Sequence, residues 1–314
     1  LDVSGTVTSL KIYALTQYVD SLRGLIIKAF EQIKLSDDSF NQVKSVLLKD
    51  RLLQASKKEF ILNKALQRVI YDSALHFASF DELREVSKRD IEVAFERFQD
   101  AFSKVICLNL NNLDWLKKHT VSRDRGALVL HNESLRVKSF SKLNEEQSLI
   151  LSRRFLVGLD DDFYSKCYLY NQFFGGGFQS VLSQEIRERL GLTYSIHSSL
   201  NISTLGLVMQ VRSTTPFKKG EIVLDKISEI EKQLLNYIDK DSFENMKRLA
   251  FVDFLTSSES VLSQMSLFRS LLVNKLDLGF YDRSFELLRN LEIEDIGQLH
   301  RKIVKSNVQT IEVV

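Results

Sequence analysis

The sequence predicts an α+β fold in which an antiparallel-rich sheet carries long helices packed on one face. Strand-like and helix-like segments alternate along the 314 residues, with the strands gathered in the middle and long helices after them. Apolar residues make up 44% and charged residues 27% of the chain, and both fractions are typical of globular proteins. The alternation also fits an α/β fold, but the grouping of the strands favours α+β.

Two parts of the chain share a pattern 203 positions apart. The stretch Leu-Ser-Asp-Asp-Ser-Phe ends at Phe40, and Ile-Asp-Lys-Asp-Ser-Phe ends at Phe243. Each stretch follows a strand-like segment and an amphipathic helix, predicted at 8–15 and 18–33 in the first copy and at 206–212 and 217–237 in the second. A further helix opens near Ile91 and Ile296, and a strand at 104–110 or 307–314 closes each copy. Shared elements in the same order predict a tandem duplication.

The segment 111–205 has no counterpart before residue 1. It is predicted to contain a hairpin (126–131 and 135–140), a strand (148–158), two helices (160–174 and 178–190) and another strand (192–199). With a repeat unit of roughly 200 residues, the chain is one and a half copies: half a unit at 1–110 and a complete unit at 111–314. We therefore expect Leu1 to be a cut rather than a natural terminus.

The composition limits the classes of partner and the kinds of site that can be expected. Lys and Arg number 43 against 41 Asp and Glu, so the net charge of +2 gives no reason to expect nucleic acid. No apolar run is long enough for a membrane span. Cys107 and Cys167 fit no metal spacing, and we predict that they are small buried hydrophobes. The compartment stays open between the cytoplasm and a periplasmic or organellar space.

The most informative segment is a glycine turn followed by an amphipathic helix. Gly175, Gly176 and Gly177 end one predicted helix and lead into the next, and Gly191 is placed as the left-handed residue that ends the second helix. A phosphate cradle is the other reading of three glycines before a helix. Since no Gly-Lys-Ser/Thr ending follows and no strand precedes the loop, we predict a helix–helix turn. The apolar positions at helical spacing are Phe178, Val181, Leu182 and Ile186.

Residues 175–178 read Gly-Gly-Gly-Phe, and residues 184–196 read Gln-Glu-Ile-Arg-Glu-Arg-Leu-Gly-Leu-Thr-Tyr-Ser-Ile. With these residues the segment resembles the insulinase/pitrilysin superfamily of zinc peptidases. The resemblance covers 111–314 well and 1–110 more weakly. It implies four homologous α+β units in two halves that close like a clamshell, of which this chain would be the end of the third unit and the complete fourth.

The zinc motif of that superfamily is not in this sequence. The resemblance implies that zinc is held by His-x-x-Glu-His in the first unit, whose glutamate activates the bound water. The chain has five histidines, and none of them begins this motif or the motif His-Glu-x-x-His. They are His76, His119, His131, His197 and His300. We therefore expect no metal site in this chain, zinc in the missing N-terminal half, and no peptidase activity of the chain alone.

The resemblance does assign auxiliary residues. It implies an arginine and a tyrosine seven positions apart that reach the active site across the closed clamshell, and Arg187 and Tyr194 match them. A phenol can stabilise the charge on the scissile oxygen, and a guanidinium can hold a peptide carbonyl or a carboxylate. Without the resemblance, Tyr194 would read as a half-buried strand residue and Arg187 as a solvated helix residue. Arg189 is near enough to compete for the arginine role.

The predicted function is therefore that of the non-catalytic C-terminal region of a zinc metalloendopeptidase. It would enclose a peptide substrate, with Gly175–Gly177 leaving room for the peptide backbone, and would pair with the catalytic half of the same protein or a partner subunit. Two alternatives stay open: a catalytically dead scaffolding member of the superfamily, and a free-standing peptide-binding or assembly module.

Overall fold

The computed structural model describes residues 2–4, 7–9, 14–18, 21–22, 24–25, 28, 35–70, 79–101, 134–139, 147–203 and 206–314. The chain divides into two compact units. The first comprises Leu1–Ala55 and Ala74–Val129, and the second comprises Ser56–Ser73 and Leu130–Val314.

The first unit contains a short antiparallel strand pair and helices. The strands are β1 (Asp2–Ser4) and β2 (Val7–Ser9). The first helices along the chain are α1 (Asp37–Ala55), α2 (Lys58–Ile70), α3 (Phe80–Glu85) and α4 (Lys88–Ala101), of which α2 belongs to the second unit. The Lys44 ammonium on α1 donates to the carbonyls of Arg84 (2.6 Å) and Val86 (2.7 Å), and so neutralises the carbonyl end of α3.

The second unit is built on a five-stranded sheet. Its strands are β3 (Leu135–Ser139), β4 (Gln147–Val157), β5 (Ser195–Ser203), β6 (Gly206–Pro216) and β7 (Val308–Val313), in the order β3-β7-β4-β6-β5. β3 and β7 pair in parallel, and the other neighbours are antiparallel. The prediction of an antiparallel-rich sheet is confirmed, and β5 forms one edge of the described sheet.

Helices form a layer on one face of this sheet, as predicted. They are α5 (Asp161–Phe174), α6 (Ser183–Arg189, π-helical), α7 (Gly220–Gln233), α8 (Lys240–Ser257), α9 (Val261–Val273), α10 (Phe280–Arg289) and α11 (Ile293–Lys305). A continuous apolar core joins the sheet residues Ile150, Met209 and Val211 to the helices. Cys167 of α5 is part of this core, as predicted, and burial raises the pKa of its thiol. None of the described helices has the length and apolar character needed to cross a membrane.

The opposite face of the sheet is partly covered by α2. Leu62 and Ala65 of this helix pack with Leu151, Ile311 and Val313 of β4 and β7 in a separate apolar cluster. A helix from the predicted half unit 1–110 thus contributes to the core of the second unit. The boundary at residue 110 rests on the repeat in the sequence and stays a prediction.

Most predicted elements of the second unit lie within a few residues of the observed ones. The predicted helix 178–190 has its first helical residues at 181–182, because 178–180 form a turn, and the predicted strand 192–199 is shifted to Ser195–Ser203. The predicted segments 104–110 and 126–131 lie outside the described residues, as do half of 8–15 and most of 18–33. The hairpin 126–140 is therefore untested, although its second arm is β3.

The helix bounds follow the spacing of the proposed repeat. α9 begins and ends 203 positions after α2 (261 against 58, and 273 against 70), and α8 begins 203 positions after α1 (240 against 37). Equal spacing of whole helices is what a duplication requires. The duplication itself stays a prediction.

One buried polar contact in the helical layer joins Tyr170 of α5 to His300 of α11. The hydroxyl of Tyr170 lies 3.2 Å from Nδ1 of His300, which is 7% exposed. Burial lowers the pKa of His300 from its ordinary value near 6.5, and burial also raises the pKa of Tyr170. The neutral imidazole therefore belongs to the folded state.

We expect the free energy of unfolding to fall as the pH drops below about 6.5, because the unfolded chain then binds a proton that the folded chain excludes. Urea titrations at several pH values measure this slope, and His300→Gln should reduce it. Replacement of the exposed His197 by glutamine is the matched control and should leave the slope as in the wild type. Equal slopes in wild type and His300→Gln would contradict the prediction.

Candidate functional site

The glycine turn is closed onto the end of α5. The carbonyl of Asn171 accepts the backbone N–H groups of both Gly175 (3.0 Å) and Gly176 (2.8 Å). Gly177 accepts the backbone N–H of Ser180 (3.1 Å) and its hydroxyl. Because the first two glycine N–H groups are already paired with α5, they are not available to cradle an anion, which agrees with the predicted helix–helix turn.

The same turn is attached to the edge strand β5. The backbone N–H of Ser198 donates to the carbonyl of Gly175 at 2.7 Å, and the Ser198 hydroxyl donates to Oδ1 of Asn171 at 2.6 Å. Both Asn171 and Ser198 are buried. The turn therefore has a fixed position relative to the sheet, set by two residues that sequence reasoning did not single out.

The three glycines differ in the space around them. A Cβ atom at Gly175 would lie 2.8 Å from the Ser198 Oγ and 3.0 Å from a methyl group of Leu182. At Gly176 it would lie 2.9 Å from the Cα of Gln172, whereas at Gly177 nothing lies within 4 Å. Two glycines are therefore needed for close packing, and Gly177 alone has open space on its Cβ side.

We expect Gly175→Ala to destabilise the protein by about 1–3 kcal/mol, because the added methyl group overpacks the contact between the turn and β5. Gly177→Ala is the matched control in the same turn and should leave the midpoint of thermal unfolding nearly unchanged. The measurement is thermal unfolding of both variants and the wild type. Equal midpoints for the two variants would contradict the different packing of the two glycines.

The helix after the turn buries its apolar face and carries its most exposed charged residues near its end. Leu182 and Ile186 are buried, Arg187 is partly buried, and Glu188 and Arg189 are exposed. α6 is π-helical, a conformation that is frequent at functional sites. Gly191 ends the segment with a φ of 58°, which confirms its predicted left-handed role, and the N–H of Leu192 donates to the carbonyl of Ile186 at 3.0 Å.

Arg187 and Arg189 have different partners. Nε of Arg189 donates to Oε2 of Glu185 at 2.7 Å, and its Nη2 contacts the same oxygen. The guanidinium of Arg187 instead lies over the ring of Phe178, with Cζ 5.6 Å from the ring centroid, and Nη1 is 3.6 Å from Glu188. Arg189 is thus committed to a neighbour on its own helix, while Arg187 is associated with the residue that follows the glycine turn.

Tyr194 combines a fixed backbone with an exposed ring. Its N–H donates to the carbonyl of Thr214 at 3.0 Å, and the buried Thr193 hydroxyl contacts the same carbonyl and the Ser213 hydroxyl, each at 2.6 Å. The side chain of Tyr194 is 63% exposed. It is therefore not a core tyrosine, and in the described part of the chain no hydrogen bond joins it to Arg187.

Phe178 is a further candidate that sequence reasoning placed wrongly. Its spacing from Leu182 and Ile186 suggested a common apolar face, but it precedes the helix and is 79% exposed. The available signal in the sequence was a large aromatic residue directly after three glycines. Because the helix begins only at residue 181, the side chain of Phe178 lies outside the core.

Within the described ranges, no group of three or more His, Cys, Asp and Glu side chains could hold a metal ion. His197 is exposed on β5 and His300 is paired with Tyr170. His76, His119 and His131 lie outside the described residues.

Comparisons with known proteins agree with this fold. Residues 99–249 match the family described as peptidase M16 inactive domain. The crystal structure of a peptidase M16 inactive domain from Pseudomonas fluorescens is similar, with a TM-score of 0.74 and 15% identity over 95% of this chain and 75% of that one.

Two further structures resemble the chain. A protease from Helicobacter pylori has a TM-score of 0.73 and 16% identity, with 95% of this chain and 77% of that one covered. The periplasmic protease PqqL from Escherichia coli has a TM-score of 0.66 and 12% identity, and the match covers 92% of this chain but 34% of that one. At these identities the structural likeness shows the fold alone, and the family match is confined to residues 99–249. Residues 99–249 are thus similar to the peptidase M16 inactive-domain family, in agreement with the predicted resemblance to the C-terminal part of the insulinase-type superfamily.

Proposed function

We propose that this chain is the non-catalytic half of an insulinase-type zinc endopeptidase, which encloses a peptide and contributes Tyr194 and Arg187 to a zinc site on the catalytic half. The observation that carries the proposal is the exposed ring of Tyr194 on a backbone held by Thr214. A side chain that must act on another segment has to project from a rigid support.

Zinc on the catalytic half would polarise the scissile carbonyl and activate a water molecule. As that carbonyl is attacked, negative charge develops on its oxygen, and the phenol of Tyr194 donates a hydrogen bond to it. Because its backbone N–H is already paired with β6, the main chain that carries the ring has a fixed position before the halves close. The contribution of Tyr194 is thus stabilisation of developing charge.

Arg187 has the separate role of binding the peptide. Its guanidinium is supported by Phe178, whereas that of Arg189 is paired with Glu185, and this difference favours Arg187 as the arginine that meets the substrate. Among the glycines, Gly177 has the open space through which an extended peptide can approach the turn. Gly175 and Gly176 act by keeping the turn close to β5 and α5.

The experiment is to assay peptide hydrolysis by the chain alone, by the catalytic half alone and by both together. We expect hydrolysis only from the combination, and its loss with a zinc chelator. Suppose that the two halves associate, but that peptide hydrolysis by a catalytic half with an intact His-x-x-Glu-His motif is the same with and without this chain. The proposed role in the peptidase would then be wrong, and a scaffolding role would be favoured. Hydrolysis by this chain alone would overturn its non-catalytic assignment.

A further inference from the structure

Arg187 is a partly exposed cation beside the glycine turn, and it lies over an aromatic ring. Its Cζ lies 5.6 Å from the centroid of the Phe178 ring, which is within the range of a cation–π contact. The side chain of Arg187 is 37% exposed, so one face is shielded by the ring and the rest meets solvent. We propose that Phe178 and Arg187 form a carboxylate-binding subsite for the peptide.

The donors of Arg187 support this assignment. A guanidinium carries five N–H groups in a planar fork that matches a carboxylate. In the described part of the chain Arg187 donates no hydrogen bond, and its ion pair with the exposed Glu188 is 3.6 Å long. Arg189 shows the contrasting arrangement, since Glu185 already accepts from two of its nitrogens. Arg187 can therefore offer a bidentate edge to a ligand without breaking a hydrogen bond.

Phe178 acts as the positioning residue. Its carbonyl accepts a hydrogen bond from Nε2 of Gln184 at 2.9 Å, which ties the turn to the first part of α6. A ring that covers one face of the guanidinium removes water from that face, limits the rotamers of a long side chain and leaves its N–H edge free. The high exposure of Phe178 is consistent with a contact surface for a ligand.

The chemistry of the guanidinium indicates a carboxylate as the ligand. That this carboxylate belongs to a peptide rests on the proposed function, in which a peptide passes the glycine turn. A peptide supplies a carboxylate either at its C-terminus or on an aspartate or glutamate side chain. Gly177, which has open space around it, immediately precedes Phe178, so a chain that lies along the turn reaches the subsite. The subsite therefore selects for negative charge at one position of the bound peptide.

The test measures binding of fluorescent peptides to the full 314-residue chain at fixed salt. One pair of peptides differs only in a free or an amidated C-terminus, and a second, C-terminally amidated pair differs only in glutamate or glutamine at one internal position. A charge-assisted hydrogen bond to a carboxylate corresponds to a preference of about tenfold to a hundredfold. We expect this preference in at least one pair, and the pair that shows it identifies the source of the carboxylate.

Arg187→Gln should abolish the preference, and Arg189→Gln is the matched control that should retain it. Phe178→Leu should weaken the preference while Phe178→Trp restores it, because tryptophan also supports a cation. Circular dichroism checks that the variants are folded. A preference that is absent in the wild type, or that persists in Arg187→Gln, would overturn the subsite while leaving peptide binding intact. No binding of any of the peptides would overturn the subsite and the proposed peptide enclosure together.

Discussion

Replacing Tyr194 by phenylalanine is expected to lower kcat/KM of the assembled peptidase by about tenfold to a thousandfold, the range observed when one donor to a developing oxyanion is removed. The substitution deletes only the hydroxyl group. Because the donor acts most strongly in the transition state, kcat should fall while KM changes little. Steady-state hydrolysis of a fluorogenic peptide by the recombined halves gives both constants.

Stability provides the control for this variant. The ring of Tyr194 is 63% exposed, and its hydroxyl makes no hydrogen bond in the described part of the protein, so the melting temperature should not change. Tyr237→Phe removes a hydroxyl from another exposed tyrosine and should leave kcat/KM unaltered. An unchanged kcat/KM in Tyr194→Phe would remove this residue from the proposed chemistry.

The fold of the second unit was largely predictable because its elements have strong local signals. The predicted strands 148–158 and 206–212 correspond to β4 and β6, two inner strands that pair along their full length. Asp160 was a recognisable start for α5, and its side chain caps the helix by accepting the N–H of Phe163 at 2.8 Å. Such signals act within a few residues, so the sequence alone reveals them.

The remaining features depend on contacts between distant residues. The position of the glycine turn is set by Asn171 and Ser198, which are 27 residues apart, and the sheet face under α2 is covered by residues that lie far earlier in the chain. Neither contact leaves a periodic pattern. The residues of the candidate site were identified in two ways. The family resemblance pointed to Tyr194 and Arg187, and the structure added Phe178 by showing where the helix after the glycine turn begins.

A second large effect is expected in the sheet itself, where a buried ion pair joins β4 to α7. Nε of Arg154 donates to Oε1 of Glu231 at 2.8 Å, and its Nη2 contacts the other oxygen. Both side chains are buried, and Nη1 of Arg154 also donates to the carbonyl of Ser306 at the end of α11. One guanidinium thus links two helices to the sheet.

Glu231→Gln should destabilise the protein by about 3–5 kcal/mol, because it leaves the Arg154 charge buried without a counter-charge. Urea unfolding measures the loss. Glu229→Gln is the matched control on the same helix: its partner Lys226 is 2.6 Å away, but both side chains are exposed, so little change is expected. Replacing Arg154 and Glu231 together by methionine and leucine should recover most of the loss, since an apolar pair carries no desolvation cost. A small effect of Glu231→Gln, comparable to that of Glu229→Gln, would mean that water or a neighbouring group compensates the Arg154 charge, and the link between β4 and α7 would then owe its strength to apolar packing alone.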